Sequence, residues 1–404
     1  MSRHRGPARF CAFLLAAVWL VVPAAAATSE ASVRASLQRD LDRYLSARSK
    51  SEHISAISLS ISLRGQPENI NLTAGRTRYG GGRPVAPNEL WQIGSNTKAF
   101  TAAAILQLEA GGKLTIDQTV GRWLPQYPAW KNVTIRRLLN MTSGIPGYNR
   151  VPAMLTAYSK NPKRNFTIAE LIAYVYPENN PSAPPPTTGY DYSNTNYLLA
   201  ELIIERASGH TYASELERRF FRSDIGLNDT YYSGTQYPRD VLDRTISGYF
   251  FSHAGNQFGL ATMFGRDVRD DSVSWMQAAG SIVSTPEDLT RWARALYTGP
   301  MLAPKQRAEL FTLVSSKTGK PIAKTSPSDP GGFGLGVGQS TLPEIGTVWW
   351  YQGETLGYRM FHIYFPVQDA VIAYGLNSSP DSNENDGTKL GIAIYRTLHA
   401  AGRL

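Results

Sequence analysis

Ser95-Asn96-Thr97-Lys98 is the pattern in this chain best suited to chemistry. It enters an alanine-rich stretch, through Glu109, that reads as a helix stopped by Gly111-Gly112. Residues three apart on a helix share a face, so the Ser95 hydroxyl and the Lys98 amine can meet. A lysine at a buried helix N-terminus loses solvation and faces an unfavourable dipole. Both effects lower its pKa and let it take the serine proton without a histidine. The same helix end offers unpaired backbone N–H groups for an oxyanion. The bland alternative is a capped helix with a surface lysine, since Ser-x-x-Lys arises by chance about once in a few hundred residues. A second piece is Tyr192-Ser193-Asn194, the one Tyr-x-Asn among 21 tyrosines. The Tyr192 phenol could relay a proton to a leaving group, and the Asn194 amide could orient Lys98 or a substrate amide. The bland alternative there is an aromatic core contact beside an Asx cap.

Other chemistries lack their residues. The chain has no Gly-x-Ser-x-Gly elbow, no His-Glu-x-x-His and no phosphate loop. None of its six histidines is paired at metal-ligand spacing, so neither metal nor cofactor is expected. The N-terminus is basic and free of acids, followed by an apolar run from Phe10 to Val22, Pro23 and four alanines. That pattern predicts a secretory signal peptide over 1–27, cleaved near Ala26 or Ala27, and a periplasmic or secreted protein. The apolar run is short for a membrane span, so no integral span is expected after its removal. Cys11 is the only cysteine and falls in this leader. Thiol, disulfide and cysteine–zinc chemistry therefore leave with it. Loss of Arg3, Arg5 and Arg9 from 41 basic residues leaves 38 against 32 acidic ones, a charge of +6. The excess is mild and spread out, which argues against nucleic acid and fits a polyanionic wall or membrane surface.

These residues need elements to position them. Val33, Leu37, Leu41 and Leu45 recur at steps of four and predict a helix over 31–50. Residues 54–63 alternate apolar and small polar types, as a half-buried strand would, and a second strand follows near 70–72. Helical segments are expected at 135–140, 168–176, 195–207 and 213–221, the second opened by the capping box Thr167-Ile-Ala-Glu170. A Pro-rich excursion covers 179–188. Strands are expected at 333–337, 347–351, 359–365 and 370–376, with a closing helix at 387–399. Alternating βαβ units are missing. The fold class expected is therefore α+β: one antiparallel sheet flanked by helices and built from both chain ends. A mostly helical region is inserted over roughly 112–275 of a single unit spanning 28–404.

The motifs together resemble a known family. Ser95-x-x-Lys98, Tyr192-x-Asn194, Leu138-Leu139-Asn-Met-Thr-Ser143-Gly144-Ile-Pro146 and Ala278-Ala279-Gly280-Ser-Ile-Val-Ser284-Thr285-Pro286 are similar to those of the penicillin-recognising serine hydrolases. The branch resembled holds class C β-lactamases, D-Ala-D-Ala carboxypeptidases, D-aminopeptidases and esterases. The resemblance implies an acyl-enzyme on Ser95, with Lys98 and Tyr192 sharing base and acid work. It also implies an oxyanion hole from the Ser95 and Glu354 backbone amides. The family carries Lys-Thr-Gly or His-x-Gly on a strand lining the site. A literal Lys317-Thr318-Gly319 is present, but it precedes the glycine-rich segment Gly332–Gly336 instead of following it. Tyr351-Gln352-Gly353, with Glu354 after it, fits the order and strand context better. A tyrosine there would leave a substrate carboxylate without its fixed cation. Arg359 is a candidate replacement whose face alternation cannot assign. The activity expected first is D-Ala-D-Ala carboxypeptidase-like, acting on peptidoglycan peptides. An esterase or D-amino-acid amidase comes next, then a class C-like β-lactamase, and last a noncatalytic binding protein of the same fold.

Overall fold

The computed structural model describes residues 29–178, 187–253 and 259–404. The expected leader, Cys11 and most of the Pro-rich excursion lie outside the described residues. Ten strands form the main sheet. They are β1 Ala56–Ser62, β2 Ile70–Arg78, β3 Gly81–Pro84, β4 Leu313–Ser315, β5 Pro321–Ile322, β6 Gly331–Phe333, β7 Gly338–Leu342, β8 Gly346–Glu354, β9 Arg359–Phe365 and β10 Ala370–Leu376. Their spatial order is β3-β2-β1-β10-β9-β8-β7-β6-β4-β5, antiparallel throughout. The N-terminal strand β1 thus sits between β2 and the late strand β10, with Ile57 opposite Leu376. Both chain ends build the sheet, as α+β architecture requires here.

Five helices matter for the site: α1 Glu30–Arg48, α2 Thr97–Ala110, α3 Thr195–Ser208, α4 Pro286–Tyr297 and α5 Gly387–Ala400. The α1 stripe buries Val33, Leu37 and Leu41 with α5 residues such as Leu390 and Ile394 on one sheet face. On the other face, α2 and α3 are buried almost around their circumference, which is why both read as apolar rather than amphipathic. The Thr167–Glu170 capping box forms with both of its hydrogen bonds.

Two strand readings need correction. β1 is buried at every position, not on one face. Helices cover it on both sides. Asn69 Nδ2 donates to Ser60 Oγ at 3.1 Å and Arg294 Nε to Ser62 Oγ at 2.9 Å, while the buried Ser58 Oγ has no hydrogen-bond partner. The strand expected at 333–337 ends at Phe333; residues 334–337 are a turn between β6 and β7. Gly336 in that turn has φ +77°, and a Cβ there would stand 2.8 Å from the Lys98 carbonyl oxygen. The glycines therefore let a hairpin tip press on α2.

Candidate active site

Ser95 lies in a 3-10 turn, Gly94–Asn96, that feeds directly into α2. Two glycines bring this turn against the end of β8. A Cβ on Gly94, whose φ is +51°, would stand 2.8 Å from the Glu354 backbone nitrogen, and one on Gly353 only 1.8 Å from the Ile93 carbonyl oxygen. Gly353 is thus required by the Ile93 backbone. Strand β7 pairs with β8 only as far as Trp350, so residues 351–354 have a described partner strand only on the β9 side.

Lys98 is completely buried. Its Nζ lies 2.9 Å from Ser95 Oγ and donates to the Ala279 carbonyl at 2.7 Å. Burial holds the amine well below the usual lysine pKa, so a neutral base is available beside the hydroxyl. Tyr192 OH donates to Ser95 Oγ at 2.7 Å from the other side. Tyr351 OH in turn donates to Tyr192 OH at 3.0 Å. Burial pushes the Tyr192 phenol up to about 12, although the hydrogen bonds with Ser95 and Tyr351 pull it the other way. The amine is therefore suited to accept the serine proton, and the phenol to stay protonated and pass one on.

The remaining expected residues divide. Asn194 caps α3 without a side-chain capping bond, and its Oδ1 is buried with no hydrogen-bond partner. Its amide makes no hydrogen bond to Lys98, so orientation of Lys98 falls to Ala279. Gln352 is half-buried, with Nε2 3.5 Å from Glu354 Oε2, and Ser379 Oγ donates to Glu354 Oε1 at 2.8 Å. Arg359 does not supply the missing cation. It is fully buried and ion-paired to Glu52 at 2.7 Å, with further bonds to the Ser378 carbonyl and Asn385 Oδ1. Lys317 and Thr318 are exposed in the β4–β5 turn, whose Gly319 packs on the backbone of Gly189 and Tyr190.

The other motif segments act as braces. The Met141 carbonyl accepts from Asp191 N–H at 2.9 Å, and Thr195 Oγ1 donates to the Pro146 carbonyl at 2.6 Å, fixing the segment that carries Tyr192. Sequence reasoning missed two further braces. His362 is fully buried beneath Ser95, between Asn96 Oδ1 at 2.7 Å and Tyr297 OH at 2.8 Å. A neutral ring donates once and accepts once there, and burial pushes its pKa down to about 3. β9 is buried at all but one of its positions, so its sequence carries no alternating pattern that marks His362. Glu201, on α3, accepts from the Ala278 N–H at 2.8 Å, next to the carbonyl that holds Lys98. Thr101 on α2 donates to the Ala278 carbonyl at 2.9 Å. Tyr232 OH lies 3.2 Å from Glu201 Oε1 and 3.0 Å from Gln277 Oε1. One phenol proton cannot serve two acceptors, and a protonated Glu201 completes the network. Burial pushes Glu201 up to about 8, in keeping with that form.

A serine flanked by a buried lysine and a protonated tyrosine, at a helix start facing a strand end, defines a serine hydrolase working by acyl transfer. The chain belongs to the beta-lactamase family, whose model matches residues 41–395. It is similar to penicillin-binding protein 4* of Bacillus subtilis, 28% identical over 74% of this chain, and spans 63% of that relative's length. Among solved structures, a D-stereospecific amidohydrolase from Streptomyces sp. superposes with TM-score 0.72 at 26% identity, covering 90% of this chain and 98% of that one. The D-amino acid amidase of Ochrobactrum anthropi SV3 complexed with D-phenylalanine gives TM-score 0.75 at 22% identity, covering 91% and 99%. A D-alanine carboxypeptidase of Burkholderia cenocepacia gives 0.65 at 19%, covering 92% and 100%. The last two are likenesses of fold. No helix among the described residues is long and apolar enough to cross a membrane.

Proposed function

We propose that this chain hydrolyses amides or esters whose leaving group carries no carboxylate, as a D-amino-acid amidase or esterase does. The observation that carries this reading is Tyr351 OH at 3.0 Å from Tyr192 OH, where a carboxylate-binding cation would be needed. Arg359 is committed to Glu52, and the cavity beside Tyr192 and Tyr351 is lined by no charged side chain. Ser95 Oγ attacks the carbonyl while Lys98 takes its proton. Tyr192 delivers a proton to the departing oxygen or nitrogen, and water then releases the acyl group. The Ser95 and Glu354 backbone amides hold the oxyanion. The unpartnered Asn194 Oδ1 offers an acceptor for a substrate N–H. The similarity to a D-stereospecific amidohydrolase supports the same reading.

The second reading is a D-Ala-D-Ala carboxypeptidase acting on peptidoglycan peptides. It is favoured by exposed Lys317 on the turn that packs against Gly189-Tyr190, two residues before Tyr192. The basic, apolar leader supports export to the periplasm or beyond under either reading. The test is one set of assays on D-amino-acid amides, p-nitrophenyl esters, D-Ala-D-Ala peptides and a chromogenic cephalosporin. Amides or esters should lead, and Tyr351→Lys should shift preference toward the D-Ala-D-Ala peptide by about tenfold. Wild type preferring the peptide, with Lys317→Ala removing that preference, would reverse the two readings. A fluorophosphonate should label wild type and not Ser95→Ala.

A further inference from the structure

Two cavities flank the outer edge of β8. The first, about 320 Å³, holds Tyr192 and Tyr351 in its wall together with Tyr190 and Phe333. Its floor is bare backbone at Gly331, Gly332 and Gly338. The second, about 150 Å³, lies between α5 and the opposite sheet face, among Leu342, Ile345, Ile363, Ile392 and Tyr395. Ser340, Trp350 and Gln352 line both. Neither lining contains a charged side chain.

The divider between them is Trp350. Its Nε1 donates to Ser340 Oγ at 2.7 Å, which fixes the ring. A Cβ on Gly338 would stand 3.5 Å from that nitrogen, so the indole rests on glycine backbone. Gly338 opposite Trp350 is the last β7–β8 pair, and past it the β8 edge opens a way from one sheet face to the other. Beyond Trp350, Leu342, Ile345, Ile363 and Ile392 remain only half-buried, leaving an apolar wall incompletely covered. Continuity with the cavity that Tyr192 and Tyr351 line says what covers it. Tyr192, which donates to Ser95 Oγ, is the proton source for the departing group, so the cavity it lines receives that group.

We propose that the two cavities form one trough, passing Trp350, that takes the apolar chain of an alcohol or amine leaving group. This rests on the acyl hydrolase reading and narrows it to substrates with a hydrophobic departing half. In the acylation step the Ser95 Oγ–carbonyl bond forms and the carbonyl–oxygen or carbonyl–nitrogen bond breaks. The proton lost by Ser95 leaves, through Lys98 and Tyr192, on the released alcohol or amine.

The experiment compares acetate esters of ethanol, butanol, hexanol, octanol and decanol, followed by acid release. The control holds ethanol constant and lengthens the acyl chain. On wild type, kcat/KM should rise about threefold per methylene of the alcohol until the trough is filled. The acyl series should show no such rise. Ile392→Trp, filling the second cavity, should leave ethyl acetate turnover and the melting temperature near wild type. It should also flatten the alcohol series beyond butanol. A flat alcohol series on an enzyme that turns over ethyl acetate overturns the trough alone, as does an equal rise in the acyl series. The trough is likewise overturned if Ile392→Trp turns a self-associated protein into a monomer without touching the alcohol series, since a second copy then covers that face. Failure of every ester, with no fluorophosphonate label on Ser95, removes the hydrolase reading and the trough with it. Should Ile392→Trp not fold, the two wild-type series still decide between trough and no trough.

Discussion

Lys98 is the residue whose environment does most to set the chemistry. It has no carboxylate among its hydrogen-bond partners, only Ser95 Oγ and the Ala279 carbonyl. Its charged form is therefore disfavoured on folding. In the unfolded chain the amine titrates near about 10.4, so the unfolded state binds the extra proton at neutral pH and stability rises as pH climbs toward that value. Lys98→Met should accordingly raise the melting temperature at pH 7, and the gain should vanish above about pH 10. The same variant should lose about 10²–10⁴ in kcat/KM. Equal melting temperatures for the two proteins at pH 7 would contradict a neutral buried amine. Protonation of Lys98 should make activity fall on the acid side, whereas Tyr192, with its phenol at about 12, should let activity hold through moderately alkaline pH. The Ser95–Lys98 contact was legible in the sequence because i and i+3 on a helix fix it. The Tyr351–Tyr192 bond follows only once strand order decides which triplet reaches the site. Glu201 and His362 gave no signal, because a lone charged or imidazole side chain in a helix or strand pattern reads as surface until its neighbours are known.

At the scale of elements, the site is a meeting of α2, the end of β8 and the turn at Gln277–Ala279. That turn includes Gln277 at φ +45°, an unfavourable backbone for a non-glycine residue. Three side chains hold it: Glu201 on the Ala278 N–H, Thr101 on the Ala278 carbonyl and Lys98 on the Ala279 carbonyl. Glu201 stays protonated to about pH 8 in the fold, whereas an unfolded glutamate ionises near about 4.3. Its contribution is complete below the lower value and is lost as pH rises through the upper one. Glu201→Gln preserves the neutral pattern, so it should keep kcat/KM within about twofold and stabilise the protein at pH 7 to 9. Glu201→Ala should lower kcat/KM and move its acid limb, since the carbonyl that orients Lys98 loses its brace. If both variants behave alike in the pH profile, Glu201 has no part in placing the base. Gly353→Ala tests the other junction. A methyl 1.8 Å from the Ile93 oxygen forces the strand end away from Ser95. It should cost about 1–3 kcal/mol of stability and most of the activity. Element positions in the C-terminal half were largely readable, because runs rich in aromatic and β-branched residues such as 359–365 and 370–376 meet no competing signal. The 334–337 turn was misread as strand: alternating glycines mimic a strand pattern but served a hairpin tip here.

Across the whole molecule, Arg359 and Glu52 form a fully buried pair linking the segment after α1 to the one before α5. Removing one partner of such a pair costs about 3–5 kcal/mol. Arg359→Met should therefore lower the melting temperature sharply while leaving kcat/KM of the folded fraction unchanged for every substrate class. A selective loss on carboxylate-bearing substrates would instead return Arg359 to the site. The expected sheet from both chain ends was readable from element order. Its width of ten strands was not, since short pieces such as 321–322 carry too few residues to announce themselves.

The pairing of β1 with β10 also sets an order of events in time. Residues 56–62 are made early, yet their central neighbour is more than three hundred positions further along. Until residues 370–376 are made, β1 has a bare inner edge, open to pairing with other chains. Tyr351 and the β8 end arrive almost as late. A nascent chain therefore carries Ser95 long before the strand end that faces it, and shortening the C-terminus by even thirty-five residues should yield aggregate instead of a weaker protein. Closure of such distant strands is slow. The sheet that carries the β8 end closes on β1 only through β10.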